Sequence, residues 1–150
     1  MNPKILERDF FKVMGTSTHI TAENEMPEMF ASIWEKFETY HKQIEPFSTD
    51  LSFYGIRFIS GKGGDYEYVA GMAVKDISPV PKNLVMRDIP SALYAVFESP
   101  VVGIGETYKY IFMEWMPSSP YNLNANAPVF EQYPPEEKSE MPVLLFIPIE

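Results

Sequence analysis

The sequence lacks cysteine and has few of the side chains that usually carry catalysis. Its 150 residues include no cysteine and two histidines, His19 and His41. Disulfide bonds, thiolate metal ligands and cysteine nucleophiles are therefore excluded, and the two histidines have no spacing typical of a zinc site. The chain also has no G-x-S-x-G segment and no glycine-rich dinucleotide-binding motif. We therefore expect no metal and no cofactor.

Basic residues and long hydrophobic runs are also scarce. The chain has 12 Lys and Arg against 21 Asp and Glu, a formal net charge of −9. DNA binding depends on Lys and Arg that displace counterions from phosphates, so we expect no direct binding to DNA. No stretch approaches the length of a membrane span, and Glu7, Arg8 and Asp9 stand where a signal peptide needs its apolar run. We expect a soluble cytoplasmic protein that does not bind membranes.

Aromatic side chains, in contrast, are abundant. They make up 15% of the chain, and hydrophobic residues make up 45%. A chain of this length has the usual size of one domain and can bury a substantial core. The aromatic content is sufficient to fill that core and also to line a pocket.

Two segments have the three- and four-residue apolar spacing of amphipathic helices. The first is MPEMFASIWEKFETYHK at residues 26–42, and the second covers residues 105–116, where Pro117 is expected to end the helix. Each helix contains one tryptophan, Trp34 or Trp115. On an apolar stripe a tryptophan is usually a core residue, and less often a ligand-stacking one.

Eight segments have strand-like composition, rich in β-branched and aromatic residues and separated by Gly, Pro and Asp. They are KILERDF, KVMGTSTHI, LSFYGIRFIS, DYEYVAGMAV, NLVMRDI, ALYAVFES, PVFEQY and VLLFIPI. The segment SGKGGD at residues 60–65 resembles a phosphate-binding loop superficially, but it lacks a Ser or Thr after the lysine and a following helix. We interpret it as a hairpin turn.

The order of these elements indicates an internal duplication. RDFFKVMGTST at residues 8–18 and RDIPSALYAVF at residues 87–97 begin alike, and each precedes one helix and then two strands. We predict a single α+β domain of tandem strand-helix-strand-strand repeats, at about residues 1–78 and 79–150. Its mostly antiparallel sheet carries two helices on one face. We expect a ligand groove at the pseudo-twofold junction, where the halves meet on the face opposite the helices.

The segment VFEQY contains a single carboxylate among strand-like residues. In an extended strand Val129, Glu131 and Tyr133 point to one face of the sheet, and Phe130 to the other. If Phe130 faces the core, Glu131 is a solvated surface charge. If Val129 and Tyr133 line a cavity, Glu131 is held among apolar groups, which favours a ligand that pairs with it.

Three parts of the sequence resemble the GyrI-like, AraC-type effector-binding domain, a ligand-sensing unit found in multidrug-responsive bacterial regulators and as free-standing proteins. They are IPSALYAVFE at residues 89–98, the run from TY to EWMPSSPY at residues 107–121, and FEQY followed by IPI. The resemblance covers nearly the whole chain. It implies a tandem-repeat fold that encloses a groove, with the glutamate at position 131 in an apolar pocket where aromatic rings hold flat cationic drugs.

We therefore expect the chain to bind amphipathic cationic small molecules at Glu131. An unpaired buried carboxylate is costly, so a cation that supplies the missing charge is favoured, and aromatic rings add cation–π attraction. The expected walls of the pocket are Tyr133, Trp115, Trp34, Tyr68 and Tyr94. Each of the three tyrosines could be either a core residue or a pocket wall, and for the two tryptophans a core role is the more usual one.

The regulators carry a helix-turn-helix domain for which this sequence offers no residues, so the chain resembles the stand-alone members. The roles that the resemblance implies for those members are drug sequestration, hydrolysis of reactive cyclopropane-bearing toxins in the same pocket, and interaction with a protein partner such as gyrase or a regulator. A binding role is our leading hypothesis. A hydrolase and a gyrase-interacting protein are the alternatives.

Overall fold

The computed structural model describes residues 2–59 and 62–150, and Lys62 by its backbone only. Within this part of the chain, each of the eight strand-like segments forms a strand of one antiparallel sheet. The strands are β1 (Lys4–Arg8), β2 (Phe11–Ile20), β3 (Phe53–Ile59), β4 (Tyr66–Val74), β5 (Val85–Ile89), β6 (Ala92–Ser99), β7 (Val129–Tyr133) and β8 (Val143–Pro148).

The strand order is β1-β6-β8-β7-β3-β4-β2-β5. When β1, β2, β3 and β4 are exchanged with β5, β6, β7 and β8, the order is the same read from the other end. The strands β3 and β7 therefore meet at the centre of a pseudo-twofold arrangement. The outer strands are exchanged between the halves, because β1 pairs with β6 and β5 pairs with β2. The predicted α+β fold of tandem strand-helix-strand-strand units is confirmed.

The helices lie close to their predicted positions. The first helix, α1 (Pro27–Glu38), has a proline in its first turn and buries Ile33 and Phe37, and the short α2 (His41–Ile44) follows it. The second helical region runs through α3 (Ile104–Tyr110), a π-helical turn (Ile111–Trp115) and α4 (Met116–Ser118). It therefore continues slightly beyond the predicted end at Pro117.

The sheet is covered on both faces. On the helix face, by which we mean the face against α1 and α3, one apolar cluster packs with α1 and a second with α3. The opposite face carries a cluster that includes Tyr54, Tyr94, Phe130 and Phe146. The guanidinium of Arg8 lies over this cluster, 4.3 Å from the Phe11 ring centre and 4.9 Å from that of Phe146.

The predicted hairpin turn between β3 and β4 lies partly outside the described residues, which exclude Ser60 and Gly61. Its second part, Lys62–Gly64, is a short turn in which Gly63 and Gly64 have φ angles of 75° and 84°. Left-handed backbone of this kind is typical of glycine. A strand follows the turn directly. Among the described residues, no helix has the length and apolar character needed to cross a membrane.

Candidate functional site

Glu131 lies at the centre of the sheet with 3% of its surface exposed. It sits on β7 opposite Gly55 of β3, where the two halves of the chain meet. Because side chains alternate along a strand, Phe130 joins the cluster on the opposite face, whereas Val129 and Tyr133 pack on the helix face. Glu131 is therefore neither solvated nor on the face opposite the helices, where we expected the groove.

The carboxylate has a cationic partner within the chain. Nη1 of Arg57 donates a hydrogen bond to Oε2 of Glu131 over 2.9 Å. Arg57 lies on β3, two residues after Gly55, and its side chain therefore points to the helix face as well. The expected missing charge is thus supplied by Arg57, and we call the two residues the central pair.

Four aromatic rings surround the guanidinium of the central pair. Its carbon lies 4.9 Å from the ring centre of Tyr108, 5.4 Å from Tyr68, and 6.0 Å from both Phe30 and Tyr66. These rings come from α1, β4 and α3. At such distances the negative faces of the rings attract a cation, by about 0.5–2 kcal/mol each. The site is therefore already an aromatic cage that holds a cation.

Two buried tyrosines complete the polar contacts. The Tyr108 hydroxyl accepts a hydrogen bond from Nη1 of Arg57 over 3.3 Å. Burial raises the pKa of the Tyr68 and Tyr108 hydroxyls well above the ordinary value, and the nearby carboxylate raises it further. Burial also raises the pKa of Tyr133. All three hydroxyls therefore remain protonated donors at neutral pH.

Gly55 leaves the space that these side chains occupy. A Cβ atom at this position would overlap the hydroxyl of Tyr68 and lie 3.3 Å from Oε2 of Glu131. Tyr68 is 1% exposed and held by an edge-to-face contact with Phe30, so it has little room to yield. A glycine is therefore needed here because of the close approach, and not because of its backbone angles.

Two cavities open on the helix face, one towards each end of β7. The Trp34 cavity has a volume of about 450 Å³ and is lined by Trp34, Phe37, Glu38, Phe53, Ile104 and Tyr133, among others. The Tyr66 cavity has a volume of about 540 Å³ and is lined by Glu25, Arg57, Tyr66, Tyr108, Phe112 and Val129, among others. Because Val129 lines one cavity and Tyr133 the other, Glu131 lies between them. Its carboxylate lines neither cavity, whereas its partner Arg57 lines the Tyr66 cavity and its neighbour Tyr133 lines the Trp34 cavity.

The structure brings most of the predicted site residues together. Tyr68 borders the central pair, and Trp34 packs edge-on against Tyr133 at 5.4 Å in the wall of the Trp34 cavity. Trp115 lies instead in the core beneath α3, 5.1 Å from Phe97. Tyr94 is on the opposite face with Phe130, because it has the other alternation phase in β6.

The sequence analysis missed Arg57, Tyr108, Phe30 and Gly55. One signal was available: in FYGIRFI a single basic residue interrupts an apolar strand, as Glu131 does in VFEQY. Two lone charges of opposite sign in separate buried strands favour an ion pair, since an unpaired buried charge is costly. Their contact depends on the pairing of β3 with β7, which the sequence pattern alone does not supply.

The central pair predicts a large difference between single and double substitutions. Arg57→Met leaves the Glu131 carboxylate buried without its partner, and we expect the free energy of unfolding to fall by about 3–5 kcal/mol. Arg57→Met combined with Glu131→Leu removes both charges and should lose much less. Urea denaturation measures both values. Equal losses in the two variants would show that the unpaired buried carboxylate is not the cause.

The buried carboxylate also predicts a pH dependence. Burial raises the pKa of Glu131 above its ordinary value of 4.5, although Arg57 and Tyr108 oppose the rise. A raised pKa in the folded state means that folding favours the protonated form. The stability contributed by this group is therefore complete below pH 4.5 and is lost as the pH rises through the folded-state pKa. The groups that surround it, which are Arg57, Tyr68, Tyr108 and Tyr133, do not titrate in that range.

We expect the wild type to become less stable relative to Glu131→Gln as the pH rises from about 4 to 8. Glu67 is a matched control, because it is also a strand glutamate bound to an arginine, at 2.8 Å from Arg87. The Arg87 hydrogen bond lowers the pKa of Glu67, so the difference between wild type and Glu67→Gln should change in the other direction. Unfolding curves at several pH values give both slopes. Slopes of the same sign would contradict the assignment.

Comparison with known proteins supports an effector-binding role for this fold. Residues 4–149 match the family described as Cass2, integron-associated effector binding protein. The transcriptional regulator BrlR of Pseudomonas aeruginosa is 29% identical over 114 residues, and the match covers 75% of this chain and 41% of BrlR. The chain thus spans less than half of the length of this curated relative.

Solved structures share the fold across the chain. The structure of SAV2435 bound to tetraphenylphosphonium has a TM-score of 0.75 at 16% identity and covers 100% of this chain and 94% of its own. Integron cassette protein VCH_CASS2 of Vibrio cholerae has a TM-score of 0.69 at 22% identity, with 99% and 96% covered. The chain belongs to the Cass2 family of integron-associated effector-binding proteins, and the predicted effector-binding domain of the GyrI-like type is thereby confirmed.

Proposed function

We propose that this protein binds amphipathic aromatic small molecules, cations above all, in the cleft between α1 and α3. The observation that carries the proposal is the carboxylate of Glu131, which is 3% exposed and lies between two cavities lined by aromatic side chains. A buried charge is costly to maintain, and a buried titratable group with a charged partner beside a cleft is a candidate for a functional site.

The two cavities suit a ligand with flat apolar parts. The Trp34 cavity offers the rings of Trp34, Phe37, Phe53 and Tyr133, which contact one another edge-on. Aromatic walls of this size contribute large apolar contact area to a rigid ring and attract a positive charge through their faces. Volumes of about 450 and 540 Å³ lie in the usual range for small-molecule pockets.

The charges around the cavities favour a cation over an anion. Glu38 and Glu136 line the Trp34 cavity, and Glu25 lines the Tyr66 cavity. Among the described residues that line these two cavities, Arg57 is the single basic one, and Glu131 already neutralises it. With a net charge of −9 on the whole chain, the field at the cleft attracts positive ligands.

The relatives provide independent support. SAV2435, whose fold is similar, has been solved with tetraphenylphosphonium, a cation that carries four aromatic rings. BrlR is a transcriptional regulator, of which this chain matches 41%. We propose that the present chain provides the ligand-binding part of such a system, as a drug-binding protein without direct contact to DNA.

Dye binding tests the proposal. We expect rhodamine- and ethidium-like cations to bind with about micromolar affinity and Glu131→Gln to weaken them by about tenfold or more. The loss has two causes, because the variant removes the carboxylate and leaves Arg57 as an unpaired positive charge. A neutral dye of similar shape should lose much less. Fluorescence titration of both dyes gives the comparison.

Glu67→Gln serves as the control, since Glu67 binds Arg87 outside both cavities. It should leave the affinity for both dyes unchanged. Equal weakening of the charged and the neutral dye by Glu131→Gln would remove the charge-pairing role from the proposal.

A further inference from the structure

Arg57 makes the two interactions that a cationic aromatic ligand would seek in this cleft. Its guanidinium is a flat, delocalised cation that lies 2.9 Å from the buried carboxylate and within 6.0 Å of four ring centres. A ligand whose charge pairs with Glu131 needs the same place. The guanidinium already fills the space among the rings and beside the carboxylate, and a second positive charge there would be repelled, so a ligand cation competes with it.

The two members of the central pair differ in their freedom to move. The side chain of Glu131 is 3% exposed and lies within the central strands. The side chain of Arg57 is 24% exposed and lines the Tyr66 cavity. The long stem of an arginine has several rotatable bonds. Arg57 can therefore withdraw into a cavity of about 540 Å³, and Glu131 cannot.

A second carboxylate is available to the withdrawn guanidinium. Glu25 lines the same cavity, is exposed, and accepts a hydrogen bond from the Tyr66 hydroxyl. An arginine that leaves Glu131 can approach Glu25 without losing all ionic contact. Screening by solvent lowers the value of that alternative pair relative to the buried one. Its presence nevertheless lowers the cost of displacement.

We propose that Arg57 is a tethered cation that occupies the charge site of the cleft, and that cationic ligands bind by displacing it from Glu131. This inference rests on the proposed function. It makes Arg57 a specificity-determining residue, because a cation must compete with the guanidinium whereas a neutral aromatic molecule can enter either cavity and leave the central pair intact. Affinity for cations is then limited by how rarely Arg57 withdraws.

The test compares methyltriphenylphosphonium with triphenylphosphine oxide, a cation and a neutral molecule of nearly the same shape. Isothermal titration calorimetry measures both on the wild type and on Arg57→Met. We expect the variant to bind the cation at least about tenfold more tightly, as when a competitor occupies the site about nine-tenths of the time. Affinity for the oxide should stay within about twofold.

Two control variants identify the cause of the gain. In Arg57→Met combined with Glu131→Gln the gain should disappear, because the released carboxylate is absent. Arg8→Met is the matched control for the loss of an arginine that is enclosed by aromatic rings. The Arg8 guanidinium also lies within 5.5 Å of four ring centres, but on the opposite face of the sheet. There it donates hydrogen bonds to Gln132 and Tyr54. Arg8→Met should leave both affinities unchanged.

The outcomes separate this inference from the proposed function. If the cation binds the wild type and loses affinity in Glu131→Gln, but Arg57→Met gives no gain, the displacement is wrong and the binding function stands. A gain that persists in the double variant means that the substitution only enlarged the pocket, which also overturns the inference. If neither probe binds the wild type or Arg57→Met, both proposals fail.

A measurement on the wild type covers the case in which Arg57→Met does not fold. The Arg57 guanidinium signal in a nitrogen-15 NMR spectrum is assigned by its absence in Arg57→Lys. We expect saturation with methyltriphenylphosphonium to shift this signal and speed its exchange with water, and triphenylphosphine oxide to do neither. An unchanged Arg57 signal at saturation with the cation would rule out displacement.

Discussion

The buried pair of Arg57 and Glu131 joins the two halves of the molecule at the centre of the sheet, where a charge is hardest to accommodate. The arginine belongs to β3 and the glutamate to β7, and these two strands form the central pairing of the eight-stranded order. Removing two charges from water costs several kcal/mol per ion, which their attraction repays only when the geometry and the remaining hydrogen bonds are good. The surroundings of the pair meet that requirement. The Tyr108 hydroxyl accepts a hydrogen bond from Arg57, Gly55 leaves room for both side chains, and aromatic rings from α1, β4 and α3 enclose the guanidinium. The helices are thus held over the sheet partly by a cation that they help to enclose.

Two neighbouring residues of β7 each hold an arginine, on opposite faces of the sheet. Glu131 binds Arg57 on the helix face, and Gln132 accepts a hydrogen bond from Arg8 over 2.8 Å on the other. Both guanidinium groups lie among four rings. The partner on β7 differs, since Gln132 is neutral and Glu131 is charged. The neutral partner fixes a side chain without a large desolvation cost, whereas the charged one adds an electrostatic preference for whatever cation occupies the cage. The same aromatic arrangement therefore encloses an arginine with a neutral partner on one face and an arginine with a charged partner on the other, and the ligand selection that we propose concerns the second.

The elements of the fold could be predicted from the sequence because their signals are local. All eight strands and both helices follow from apolar spacing, β-branched composition and turn residues, and the repeat of RDFFKVMGTST in RDIPSALYAVF gave the tandem order. The alternation of VFEQY also predicted that Val129, Glu131 and Tyr133 share a face.

The sequence does not show which residues from other strands and helices pack against each face of the sheet. Arg57 reaches Glu131 through a pairing between residues 74 positions apart. Tyr94 and Trp115 are plausible wall residues by type, but strand phase places the first on the opposite face and packing on Phe97 places the second in the core.

The buried charge, as well as the shape of the cleft, defines this site. The overall chain path is shared with SAV2435 and the Vibrio cholerae cassette protein at 16% and 22% identity, so the sheet and helices tolerate extensive replacement of side chains. An ionised carboxylate at the centre of such a cleft requires a positive partner, from the protein or from a ligand. In this chain the partner comes from β3, which keeps the unliganded site neutral and its tyrosines packed. If cationic ligands displace Arg57 as we propose, the stability of the free protein and its affinity for cations are opposed, because the free energy by which Arg57 stabilises Glu131 is lost when a ligand takes its place.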